Sequence, residues 1–123
     1  MLVIAGSVGM TGAAYLASEA ALVTGSGLVT CAIPKSLNSI MEVKLTEVMT
    51  LPVRDSGKGR FSAASFPQIK KFAEKADVAA IGPGISREGE VRKFVKKLLQ
   101  GLDIPIVLDA DGINCIVGNP AML

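Results

Sequence analysis

The chain has 123 residues, half of them hydrophobic, 20% charged and only 4% aromatic, with a formal net charge of +2. That length suits one domain or part of one, and a composition led by Ala, Val, Ile and Gly suits helices packed closely on a sheet. Basic residues are scattered: Lys70, Lys71 and the cluster over 92–97 fall on predicted helix faces among apolar positions, which argues for solvated surface against a nucleic-acid patch.

The absence of histidine removes any imidazole base and any His-based metal site. Cys31 and Cys115 have no CxxC partner and are expected to be buried free thiols of a reducing compartment. Glu19 interrupts the most hydrophobic stretch, and residues 1–5 lack a basic region, so neither a membrane span nor a signal peptide is expected and a cytoplasmic location is.

In chain order, residues 2–5 form the first predicted strand, followed by a loop over 6–12 with glycines at every third position and Ser7 and Thr11 between them. It lacks the Gly-Lys-Ser/Thr of a P-loop and the spacing of GxGxxG. A helix over 13–24 follows, with Leu16, Ala17, Ala20 and Ala21 expected inward, ended by Gly25-Ser26-Gly27. Residues 28–33 form the second strand, stopped by Pro34, and a helix over 35–45 turns Leu37, Ile40, Met41 and Leu45 inward. The run 47–53 contains Pro52 and reads as an edge strand. Residues 54–62 read as a surface loop in preference to a mobile flap.

A helix over 64–76 carries Ile69, Phe72, Ala73 and Ala76 on one stripe, with Pro67 in its first turn. The apolar run 78–81 is a strand covered on both faces, and it ends in Gly82-Pro83-Gly84. The helix over 86–100, capped by Ser86, has Val91, Phe94, Val95, Leu98, Leu99 and Leu102 at 3–4 spacing. A strand over 104–108 ends in Asp109-Ala110-Asp111-Gly112-Ile113-Asn114, with a short helix to residue 117 and a turn at 118–120. Strands and helices therefore alternate, which predicts an α/β fold with a doubly wound parallel sheet and no internal domain boundary over residues 1–123.

Three strand ends carry unusual residues, at 6–12, 82–84 and 109–114, and in a parallel sheet all three share one edge. Glycine loops there can cradle phosphates or a ribose, and carboxylates can orient Mg²⁺. The plainer reading of Asp111 is an N-cap, and of the glycines ordinary strand-to-helix turns. Asp109, directly after Ile-Val-Leu, is expected to need a polar partner.

The segments over 3–34 (VIAGSVGMTGAAYLASEAALVTGSGLVTCAIP), 46–49 (TEVM), 79–86 (AAIGPGIS) and 107–114 (VLDADGIN) together resemble the N-terminal half of the ADP/ATP-dependent NAD(P)H-hydrate dehydratase family. The departures from the family's pattern are Ile85-Ser86, Gly112-Ile113 and Thr46 where a proline is usual. The resemblance implies a ribokinase-like three-layer αβα fold. It also implies a lyase that phosphorylates the ring hydroxyl of hydrated NADH or NADPH from ADP or ATP, with Mg²⁺, so that phosphate leaves and the double bond returns. By the same resemblance Gly12, Ala13, Gly82 and Gly84 contact the hydrated dinucleotide, and Asp109, Asp111 and Asn114 lie toward the phosphate and Mg²⁺ region. The family's HPGE and GTGD segments, the second carrying the catalytic aspartate, are not among these residues, so no catalytic residue is assigned and the 123 residues alone are expected to be inactive. A homo-oligomer or a complementary chain completing the sheet is expected, because the strand at 104–108 would otherwise expose an edge. A ribokinase-like small-molecule or vitamin-precursor kinase and a non-catalytic nucleotide-binding subunit are the alternative readings.

Overall fold

Short runs of β-branched and small apolar residues, each closed by glycine, proline or aspartate, make the strands of the sheet. The computed structural model of the protein describes residues 1–119 and 121. Five strands, β1 (Leu2–Ile4), β2 (Thr30–Pro34), β3 (Met49–Val53), β4 (Ala79–Ile81) and β5 (Ile106–Leu108), pair in parallel in the order β3-β2-β1-β4-β5. Pro52 lies in β3 at one edge, where its missing N–H costs no ladder bond to a further strand. The chain winds outward from β1 to β3, returns to β4 beside β1, and then winds the other way, so the order reverses between β1 and β4.

Among the described residues four α-helices connect the strands, α1 (Thr11–Val23), α2 (Asn38–Lys44), α3 (Phe66–Ala73) and α4 (Gly89–Gly101), and α5 (Asp111–Ile116) follows β5. Short 3-10 turns at Lys35–Leu37 and Ala63–Ser65 lead into α2 and α3. Val3, Ala5, Cys31 and Ile33 pack with Ala14, Ala21, Leu37 and Met41 under α1 and α2. Leu2, Ile4, Ala79 and Ile81 pack on the opposite face with side chains of α3, α4 and α5. The alternation of side chains along each parallel strand thus feeds two cores, and the helices form the outer layers of an αβα sandwich.

Several local expectations are corrected. In α1 the buried residues are Ala14, Ser18 and Ala21, while Leu16 is 67% exposed and Ala20 is exposed. The helix is apolar almost all round, so its pattern does not select a face. Ile40 is 45% exposed, whereas Leu37, Met41 and Leu45 are buried as expected. Leu28 and Ile104 fall outside their strands, and α4 begins at Gly89, with Glu88 at its N-cap position and no side-chain cap. Ser86 instead has a φ of 78° in the preceding turn. The loop over 54–62, polar in sequence, is not all surface: Phe61 within it is fully buried, stacked on Phe94 with ring centroids 5.0 Å apart. Both cysteines are free and buried. Of the turn expected at 118–120, Gly118 and Asn119 are described and Pro120 lies outside the described residues.

Candidate functional site

The loops after β1, β4 and β5 follow three adjacent strands and lie on the sheet's carboxyl edge, over the point where strand order reverses. Each is tied to the next by its backbone. The Gly82 N–H donates to the Ile4 carbonyl at 3.1 Å, the Gly6 N–H to the Pro83 carbonyl at 2.8 Å, and the Asp109 N–H to the Ile81 carbonyl at 3.0 Å. Ser7, buried after Gly6, adds a bond from its hydroxyl to the Gly84 carbonyl at 2.7 Å. The sequence placed Ser7 in the loop but gave it no role; its position opposite Gly84 depends on β1 and β4 being neighbours.

The four glycine and alanine candidates separate into two kinds. Gly12 and Ala13 belong to the first turn of α1 and not to the loop before it. A Cβ on Gly12 would meet nothing within 4 Å, so this backbone faces open space. Met10 at the N-cap position offers no side-chain cap, and the first turn holds no acidic residue; the Ala13 N–H donates to the Met10 carbonyl at 3.2 Å, which leaves the N–H groups of Thr11 and Gly12 without a protein acceptor among the described residues. Gly82 and Gly84, by contrast, are required by packing. A Cβ on Gly82 would lie 1.9 Å from the Asp109 carbonyl oxygen, and one on Gly84 would lie 2.8 Å from the Ala13 Cβ. These two glycines let the three loops close into one ledge.

Asp109 is exposed, so the polar partner expected of it is unnecessary; its carboxylate stands in solvent at the end of β5. Asp111 is not an N-cap: Ala110 holds that position, with a φ of 49°, and Asp111 is the first helical residue. Its Oδ2 accepts the Ser86 N–H at 3.1 Å and its Oδ1 accepts the Asn114 Nδ2 donor at 3.3 Å, with Arg87 Nε 3.8 Å away. Asp111 and Asn114 therefore join the turn after β4 to the start of α5, while the Asp109 carboxylate has no partner among the described residues. Among the described residues no cluster of three acidic or cysteine side chains is poised around one point.

A groove of about 660 Å³ opens beside this ledge, between the loop over 56–62 and the first turn of α4. Lys58, Arg60 and Lys93 line it together with Glu88 and Glu90, and Arg60 pairs with Glu88 at 3.2 Å, so its charges nearly cancel. The loop is anchored: the Val8 N–H donates to the Gly59 carbonyl at 2.8 Å, and Asp55 bridges to Phe61. On the other face, burial pushes the Cys31 thiol up to about 11, with Ser18 opposing the shift, so it is a core group and no nucleophile.

A family model described as NAD(P)H-hydrate dehydratase (Carb_kinase) matches residues 1–122. The bifunctional NAD(P)H-hydrate repair enzyme Nnr of Moorella thermoacetica is 40% identical over 124 residues, covering 100% of this chain and 23% of its own length. The human ATP-dependent (S)-NAD(P)H-hydrate dehydratase is 27% identical, covering 98% of this chain and 34% of its own. A ribokinase-like superfamily protein from Enterococcus faecalis superimposes with a TM-score of 0.76 at 21% identity, over 96% of this chain and 39% of that one. Bacillus subtilis YxkO superimposes with a TM-score of 0.63 at 28% identity, over 90% and 38%. This chain thus spans between about a quarter and two fifths of the length of the relatives it matches. With the family model covering nearly every residue and the ribokinase-like sheet in place, the chain belongs to the NAD(P)H-hydrate dehydratase family.

Proposed function

We propose that this chain forms the dinucleotide-side part of an enzyme that restores hydrated NADH or NADPH by ADP- or ATP-dependent dehydration. The observation that carries the reading is the uncapped first turn of α1 facing open space at Gly12, over the reversal of strand order, in a chain whose residues 1–122 match the dehydratase family. The N–H groups of Thr11 and Gly12 at the positive end of a thirteen-residue helix suit the diphosphate of a dinucleotide. Val8 and Met10 on the same rim are 48% and 37% exposed and offer apolar contact to a ring.

The chemistry required is conversion of a hydroxyl, a poor leaving group, into a phosphate, a good one. This chain's part is to hold and orient the dinucleotide by Gly12 and Ala13 against the ledge closed by Gly82 and Gly84, which is where most of the rate of such a transfer arises. Asp109 is the carboxylate free to face a phosphate or a hydrated Mg²⁺, a cation commonly held by one or two carboxylates plus phosphate oxygens. Asp111 and Asn114 already bond each other and Ser86, and they fit a supporting role better than a ligand role. A complementary chain or a second copy would complete the sheet beyond β5, and the reaction would proceed in the cytoplasm.

A chimera in which this chain replaces the matching region of the Moorella relative tests the reading. With hydrated NADH, a nucleotide donor and Mg²⁺ it is expected to restore dihydronicotinamide absorbance, and Gly12→Leu is expected to lower that rate at least about tenfold through lost binding. A stable phosphorylated product without recovery would favour the small-molecule kinase reading, and binding of neither nucleotide would favour the non-catalytic subunit.

A further inference from the structure

The glycine–proline turn after β4 has a defined form. Pro83 stands second in it, Gly84 stands third with a φ of 67°, and the Ile85 N–H donates back to the Gly82 carbonyl at 3.3 Å. This is the pattern of a type II turn, whose middle peptide is turned over relative to type I. Both peptides flanking Gly84 are held by the loop after β1. The Gly6 N–H donates to the Pro83 carbonyl at 2.8 Å, and the Ser7 hydroxyl donates to the Gly84 carbonyl at 2.7 Å. A trans peptide points its C=O and N–H in opposite directions, so the Gly84 N–H faces away from Gly6. It has no acceptor among the described residues. Ser7 is 0% exposed, and its own carbonyl accepts the Met10 N–H at 2.8 Å, directly before α1. One buried residue thus bonds both the turn after β4 and the entry to α1.

We infer that, given the proposed contact of Gly84 with the dinucleotide, Ser7 is a positioning residue for that ligand. Its hydroxyl locks the turn after β4 in the form that leaves the Gly84 N–H free to bond a phosphate or ribose oxygen. Glycine is required at 84 by its positive φ and by the Ala13 and Met10 Cβ atoms, 2.8 and 3.0 Å from where its own Cβ would stand. Yet glycine is also the residue that lets a peptide plane rotate most readily, so the turn needs outside bonds to hold one orientation. Gly6 supplies one such bond from its backbone. Ser7 supplies the other, and of the two only this one comes from a side chain.

The test uses the Moorella chimera, with NADH as a fluorescent probe that binds without turnover. Ser7→Ala is expected to weaken NADH binding about tenfold, the worth of one buried hydrogen bond. It is expected to raise the KM for hydrated NADH by a similar factor and to leave the KM for the nucleotide donor unchanged. Ser7→Cys, close in size with a weaker donor, is expected to fall between parent and alanine. Ser65→Ala is the control: Ser65 is also 0% exposed, and its hydroxyl donates to the Arg54 carbonyl at 2.6 Å, at the end of β3. It is expected to lower the urea midpoint as Ser7→Ala does while changing neither NADH binding nor KM. NADH binding unchanged in Ser7→Ala and Ser7→Cys would overturn the inference, because the bond would then serve folding alone. So would a rise in both KM values together, which marks general loosening. Where Ser7→Ala fails to fold, Ser7→Cys decides by the same comparison. A chimera that binds NADH in a Ser7-dependent way but does not restore hydrated NADH would count against the proposed reaction and leave Ser7 assigned. One that binds no NADH would overturn both.

Discussion

Gly82 shows most directly how one residue fixes the geometry of the rim. Its φ of 130° and the Asp109 carbonyl 1.9 Å from where a Cβ would stand leave no room for a side chain. Gly82→Ala is therefore expected to destabilise the chain by about 3 kcal/mol or more, measured by urea unfolding. Gly12→Ala is expected to act in the opposite sense, stabilising α1 by about 0.5–1 kcal/mol, since the added methyl meets nothing and alanine is the better helix former. Asp111→Ala removes the acceptor that holds Ser86 at a φ of 78° and should cost about 1–2 kcal/mol. Adding Ser86→Gly should recover part of that loss by relieving the backbone. Cys31 sets a pH limit. Its thiol is raised from 9.0 to about 11 in the folded chain, so it favours the fold fully below pH 9, and that contribution is lost as pH rises through 11. Urea midpoints followed from pH 8 to pH 11 should fall over that window, and Cys31→Ala should flatten the fall.

At the scale of elements, the loop over 54–62 and α4 form one packing unit on the α3–α5 side of the sheet. Phe61 and Phe94 stack at an interplanar angle of 9° and are both fully buried, so Phe61→Ala should cost about 3–5 kcal/mol. The Arg60–Glu88 pair spans the same two elements, but Glu88 is more than half exposed, and Glu88→Gln should change stability by less than about 1 kcal/mol. The contrast separates the two contacts between these elements: the aromatic stack is buried, and the ion pair is at the surface. The sequence marked α4 clearly through its 3–4 spacing. It did not mark Phe61, whose neighbours are glycine, arginine and serine, because a single aromatic in a polar stretch has no period to betray it.

For the molecule as a whole, the strand order divides the sheet into a sealed part and an open part. β1 and β2 are buried throughout, whereas β5 is a half-exposed edge paired on one side only. Amide hydrogen exchange should reflect this, with β1 and β2 exchanging near the rate of global unfolding and β5 about tenfold faster or more.

The alternation of strand and helix, the parallel sheet, the edge position of β3 and the common rim of the three loops were legible in the sequence, because each follows from local pattern and from the handedness of crossovers. The same holds for the family, since its segments recur in order along the chain. The inward face of α1 was not legible, because a helix that is apolar on nearly every side gives no moment to read. Nor was the division of labour among the site residues. That Gly82 and Gly84 serve closure while Gly12 faces open space, and that Asp111 is engaged while Asp109 is free, depends on contacts between residues far apart in the chain. Such contacts exist only once β1, β4 and β5 lie side by side, and tertiary structure alone decides them.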